Sequence, residues 1–146
     1  MDTAKEKGYD AGKKVSGIKL HIIVDTLGLP HAIHITPANV TDRKVAEQMI
    51  GLNMNSLSEV RAFLVDGGYS GDKFANTIKK IHGATVKRVK RHELHQFGIL
   101  PKRWIVERSF SWLEKRRRLW KNCERYLHTS VQLTSLAFIA LLLNKF

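Results

Sequence analysis

The sequence predicts an α/β domain in which strands and helices alternate around a mixed sheet. Three observations carry that expectation. Ile18, Leu20, Ile22 and Val24 alternate with Lys19, His21, Ile23 and Asp25, the period-two signature of a half-buried strand. An unbroken apolar run over 62–65 stops at Asp66-Gly67-Gly68, as a central strand covered on both faces would. Between and after these stretches, apolar residues recur at helical spacing.

Taken in order, the first fifteen residues are polar, rich in lysine and glycine, and without period. They read as a basic arm over 1–15, followed by one domain over 16–146. The alternating strand turns through "DTLGLP" into "HAIHIT", a β-hairpin. A helix follows, with Thr41 as N-cap and Val45, Met49 and Leu52 on one face. After the 62–65 strand comes a helix with Phe74, Ala75, Ile78 and Ile81 together, then "ATVKRVKR" as a short basic strand. A loop around "HELHQFGILP" leads to the basic segment "PKRWIVERSFSWLEKRRRLW", with Pro101 suited to the first turn of a helix. "HTSVQLTSLAFIALLLNKF" closes the chain as a nearly all-apolar helix, with Thr129 and Gln132 as a candidate capping box.

The chain has 146 residues, enough for one core. Its 25 Lys+Arg against 13 Asp+Glu leave a formal charge of +12. Such an excess favours a polyanionic partner, nucleic acid first. The window 87–121 holds twelve Lys or Arg and three acids, so it carries nine of those twelve net charges. Cys123 is the single cysteine, which excludes a disulfide framework and a cysteine-paired zinc site. The longest apolar run, "LTSLAFIALLL", is short of the ~20 residues that span a bilayer. These features predict a cytoplasmic protein with no membrane role.

Within the basic helix, steps of about 100° from Ile105 gather Leu119, Trp112, Ile105, Trp120, Leu113, Val106 and Phe110 in one arc. Arg116 intrudes on that arc, so the helix is expected to bend or fray before "RRRLW". Glu107 lies on the opposite side, near Arg103, Ser111, Glu114 and Arg118. A surface ion pair with Arg103, worth roughly 0.3 to 0.5 kcal/mol, is one account of it. Asp66 is likewise either the start of an Asp-Gly turn or a side chain projecting above a strand end, where open α/β sheets bind ligands.

The two acids gain meaning together. Metal-dependent phosphodiester chemistry needs carboxylate oxygens to hold a hard cation and a cationic surface to hold the backbone. His92 and His95 read as loop residues, and His31 and His34 fall on opposite faces of a strand. Cys123 reads as a small buried hydrophobe.

"GYDAGKKVSGIKLHIIVDTLGLPHAIHITPANVTDRKVA", "LVDGGYSGDKF" and "RWIVERSFSWL" resemble the catalytic domain of bacterial insertion-sequence DDE transposases, in particular family five within the family-four-like group. The resemblance runs from about Gly8 to the C-terminus. It implies an RNase H-like mixed sheet flanked by helices, Mg²⁺ or Mn²⁺ as cofactor, and a triad Asp, Asp, Glu. Asp66 matches the second Asp and Glu107 the Glu, as catalytic and metal-binding residues. In the family's Tyr-Arg-Glu-Lys signature Arg103 fits, whereas Leu100 takes the Tyr position and Glu114 the Lys position. The family's first strand, with its first Asp, has no counterpart here.

The resemblance therefore implies a C-terminal part of such a domain, inactive alone unless an upstream transposase polypeptide completes it. Its partner would be double-stranded DNA, insertion-sequence ends and target, with a homo-oligomer as a further expectation. Lys13, Lys14, Lys19, Arg88, Arg91, Arg103, Lys115, Arg116, Arg117, Arg118 and Lys121 are the expected DNA contacts. The alternative is a basic module that binds nucleic acid without chemistry. A ribosomal protein would suit the charge and leave Asp66 and Glu107 without a reason.

Overall fold

A computed structural model describes residues 7–69, 71–89, 103–119 and 124–144. The elements run β1 (Gly8–Asp10), β2 (Val15–Val24), β3 (Pro30–Pro37), α1 (Asp42–Leu52), β4 (Ala62–Asp66), α2 (Asp72–His82), β5 (Thr85–Val89), α3 (Arg103–Glu114) and α4 (Leu127–Leu143).

The arm expected over 1–15 contains β1, which pairs antiparallel with β2 from Gly8 opposite Gly17 to Asp10 opposite Val15. Its turn is held by one side chain. Asp10 Oδ1 accepts the Gly12 and Lys13 N–H groups at 3.0 and 3.2 Å, and Oδ2 lies 2.9 Å from Lys19 Nζ. A polar turn closed by its own carboxylate has no hydrophobic period, so alternation cannot disclose it.

The hairpin of β2 and β3 forms as expected, from Ile18 opposite Pro37 to Val24 opposite Pro30. Asp25 organises its turn, taking the N–H groups of Leu27 and Leu29 at 2.8 and 3.0 Å. In place of one mixed sheet, the described residues form an antiparallel sheet β1-β2-β3 and a parallel pair β4-β5. Parallel strands need a crossover, and α2 supplies it between Ala62 and its partner Thr85.

Layers form on both sides of the hairpin because successive side chains point to opposite faces. On one face Ile23 packs with Ala32 and with Val45 and Met49 of α1. On the other, Ile18, Leu20 and Ile35 meet Phe110, Leu113 and Leu133 around a cavity of about 220 Å³. The main core joins Ile50, Leu57, Phe63, Phe74, Ile78 and Ala84.

Three expectations need correction. Strand β4 is covered on one face only among the described residues: Phe63 is buried, while Leu64 is 49% exposed. Of the predicted α2 face, Phe74 and Ile78 are buried and Ile81 is 38% exposed. Thr129 is no cap, because α4 starts at Leu127 after Tyr126. The Thr129 position is already inside the first turn. Thr41 is the N-cap residue of α1, as expected, in extended conformation, and its hydroxyl makes no capping hydrogen bond.

Helix α4 buries Ser130, Thr134, Phe138 and Leu141 and exposes Leu136, Ile139 and Leu143. No helix among the described residues is long and apolar enough to cross a membrane.

Candidate metal and nucleic-acid site

Asp66 ends β4, and its carboxylate is exposed. The Gly67 N–H donates to Asp66 Oδ1 at 2.6 Å, and the Tyr69 N–H returns to the Asp66 carbonyl at 3.0 Å. Gly-Gly lets the chain turn sharply here, so the side chain stands clear of the strand. Two residues that sequence reasoning passed over hold this turn. Arg43 of α1 donates from Nη2 to the Gly68 carbonyl at 2.9 Å. The Tyr69 ring packs on Phe74 at 5.1 Å between centroids. Burial raises the Tyr69 phenol above its ordinary value, and the negative charges of Asp42 and Asp66 add to the rise. The "DGGY" motif was itself the signal for Tyr69. Nothing in the sequence points from Arg43 to Gly68.

Glu107 lies on the exposed side of α3, as the angular reading expects. Ile105 and Leu113 form the buried seam of this helix, with Phe110 and Trp112 half-buried. Val106, placed in the apolar arc by spacing, is 38% exposed, and Ser109, unremarked by that reading, is wholly buried. The helix stops at Glu114, before "RRRLW", and continues as turns in which Arg116 N bonds Leu113 O and Leu119 N bonds Arg116 O. Trp120 lies outside the described residues.

The cations divide into three groups. Lys13 and Lys14 occupy the exposed tip of the β1–β2 turn, and Lys115 and Arg117 are exposed after α3, with Arg116 half-buried. Arg88 and Arg118 are surface residues with an acidic neighbour: Arg88 reaches Asp72 at 3.2 Å, and Arg118 reaches Glu124 Oε1 at 3.0 Å. Lys19 differs. Its ammonium lies 2.9 Å from Asp10 and 3.6 Å from Asp42, and it donates to the Val40 carbonyl at 3.3 Å. That charge is paired with carboxylates of β1 and α1. Arg91, Lys121, His92, His95, Cys123 and the Arg103 side chain lie outside the described residues.

Asp66 and Glu107 are carried by different elements, β4 and α3. Asp66 closes the parallel pair, whereas α3 packs on β2 and α4. Among the described residues, no group of three His, Cys, Asp or Glu could hold a metal ion. As donors, two exposed carboxylates fit a hard divalent cation in kind and fall short of its usual six oxygens in number.

Comparison with known proteins gives a consistent picture. A family model described as the transposase DDE domain matches residues 1–143. The chain is 33% identical over 116 residues to a Burkholderia cepacia protein described as a candidate transposase for insertion sequence element IS402. That alignment covers 75% of this chain and 54% of the relative, so the chain spans about half the length of the protein it matches. No solved structure matches it significantly.

Proposed function

Since this chain belongs to the DDE transposase domain family, we propose that it works in DNA transposition as part of an RNase H-like catalytic domain, family five of the insertion sequences. In this reading Asp66 and Glu107 hold Mg²⁺ or Mn²⁺. Such an ion, when bound, activates the attacking oxygen and stabilises the leaving one at a phosphodiester. The chain's own residues then have separate duties. The Gly67 N–H and the Arg43-pinned turn orient Asp66. Lys13, Lys14, Arg88 and 115–118, together with Arg91, Arg103 and Lys121, hold the duplex backbone.

The observation that carries this reading is Glu107 in solvent on a helix whose exit is cationic, together with Asp66 in solvent at a strand end. Arginines and lysines alone would suit any nucleic-acid binder. Exposed carboxylates on a phosphate-binding surface repel phosphate, and a divalent cation offsets that repulsion.

Among the described residues, no third ligand joins these two carboxylates. Asp10, also at a strand end, has its charge committed to Lys19. We therefore expect duplex DNA to bind the chain with a steep salt dependence, and cleavage to need a third carboxylate beside Asp66 and Glu107, which is tested by adding a polypeptide that carries the family's first Asp and strand. The test is Mn²⁺-dependent nicking of terminal-repeat DNA by the chain, alone and with that polypeptide. Activity in the complemented reaction that Asp66→Ala and Glu107→Ala each abolish supports the proposal. DNA binding with no cleavage in the complemented reaction favours the non-catalytic module instead. Robust cleavage by the chain alone, lost in Asp66→Ala, would overturn the need for a third carboxylate.

A further inference from the structure

We infer that Arg108 and Ser109 are positioning residues: they clamp α3 to the turn between β2 and β3 and so fix the direction in which Glu107 points. The functional half of this inference rests on the reading of Glu107 as a metal ligand. The mechanical half rests on geometry alone.

Arg108 sits in the most basic stretch of the chain, yet its guanidinium is turned inward. Its Cζ lies 4.5 Å from the Trp104 ring centroid and 4.9 Å from that of Trp112, one turn before and one turn after. Held in that aromatic sandwich, Nη2 donates to the Leu27 carbonyl at 2.7 Å. Its Nε is buried and has no hydrogen-bond partner among the described residues. A guanidinium committed to two rings and a backbone oxygen is in no position to fork a phosphate.

Ser109 completes the contact. It is 0% exposed, and its Oγ lies 2.9 Å from the Gly28 carbonyl and 3.0 Å from the Ile105 carbonyl. The turn is built to receive it. Asp25 satisfies the N–H groups of Leu27 and Leu29 from within, while α3 reaches the carbonyls of Leu27 and Gly28. Gly28 has φ of +86°, and a Cβ there would meet Ser109 Oγ at 3.0 Å and Arg108 Nη2 at 3.3 Å. Only glycine combines that backbone with that approach.

Two neighbouring residues of a helix bonded to two neighbouring carbonyls of a turn make a two-point attachment. One point would let the helix roll about its axis; two points prevent it. Glu107, one step of about 100° from Arg108, is thereby held outward.

The test is made in full chains carrying Cys123→Ser, with spin labels at Lys73→Cys in α2 and Ser111→Cys in α3, leaving both carboxylates intact. Pulsed dipolar spectroscopy reads the spread of the α2–α3 distance, and loss of the aqueous Mn²⁺ signal reads metal binding. Arg108→Met, Ser109→Ala and Gly28→Ala are each expected to broaden the distance distribution and to weaken Mn²⁺ binding severalfold. Ile78→Val, in the core of α2, is expected to lower stability with no broadening. An unchanged distribution in every clamp variant that folds overturns the inference, as does equal broadening in Ile78→Val. Broadening with no Mn²⁺ effect, when Glu107→Gln is also silent, leaves the clamp standing and sinks the metal reading.

Discussion

Lys19 and Asp10 meet at 2.9 Å across the first turn of the chain and, through Asp42 at 3.6 Å, tie β1, β2 and the start of α1 together. The hydrogen bond from Lys19 holds the Asp10 carboxyl below its ordinary value of 3.8, and the same bond raises Lys19 above 10.5. Asp10 therefore adds stability above pH 3.8 that is lost as pH falls through its lowered value. Lys19 adds stability below pH 10.5 that is lost as pH rises through its raised value. Lys19→Gln should lower the thermal midpoint throughout that window while leaving the salt dependence of DNA binding unchanged. Lys115→Gln and Arg117→Gln should do the reverse, each reducing the salt slope by about one. Unfolding scans and a salt titration of binding check both halves.

His21 sits half-buried beside Thr36, its Nε2 3.0 Å from the threonine Oγ1. Desolvation lowers its pKa below 6.5; Asp42 opposes the shift, and His34 and Lys19 reinforce it. A depressed histidine means that the unfolded chain binds the proton first. Stability is therefore present above pH 6.5 and falls as pH drops through the lowered value. The decline should be shallower in His21→Gln, by denaturant unfolding at a series of pH values.

Asp66 and Glu107 are exposed, so neither should be a pillar of the fold. Asp66→Ala and Glu107→Ala are each expected to change unfolding free energy by less than about 1 kcal/mol. A larger loss in either would mean that its carboxylate is structural.

Helix α4 offers a sharper contrast. Phe138, 2% exposed, should cost about 3–5 kcal/mol as Phe138→Ala. Thr134 is as deeply buried, but its hydroxyl only donates back to the Ser130 carbonyl at 2.9 Å. Thr134→Val keeps the shape and removes a bond the helix does not need, so it should be neutral or stabilising. Leu136→Gln, at a position 59% exposed, should fall within about 0.5 kcal/mol. Denaturant unfolding of the three variants decides.

How much of this was readable beforehand depended on how local its cause was. The β2–β3 hairpin has alternation and turn residues within twenty positions, and both were visible. The end of α3 was visible too, because Arg116 would have entered the apolar arc. Strand β1 was hidden because its stabiliser is an Asp side chain rather than a pattern. The bare side of Leu64 was hidden because an apolar run says what a strand could bury, not what arrives to cover it. Lys13 and Lys19 look alike in sequence, and only the fold brings Asp42 to one of them. Ser109 could have been found: at about 40° from Ile105 it is a hydroxyl in the middle of an apolar arc, and such a group needs a partner.

That partner lies eighty-one positions away, since Ser109 bonds Gly28 and Arg108 bonds Leu27. Closing a loop of that length costs roughly 4 kcal/mol of chain entropy before any contact rewards it. The hairpin and α2 are local and can form early, whereas the docking of α3 must wait for most of the chain. During synthesis the turn leaves the ribosome with its Leu27 and Gly28 carbonyls facing water, and Glu107 acquires a fixed direction only in the last stage of folding.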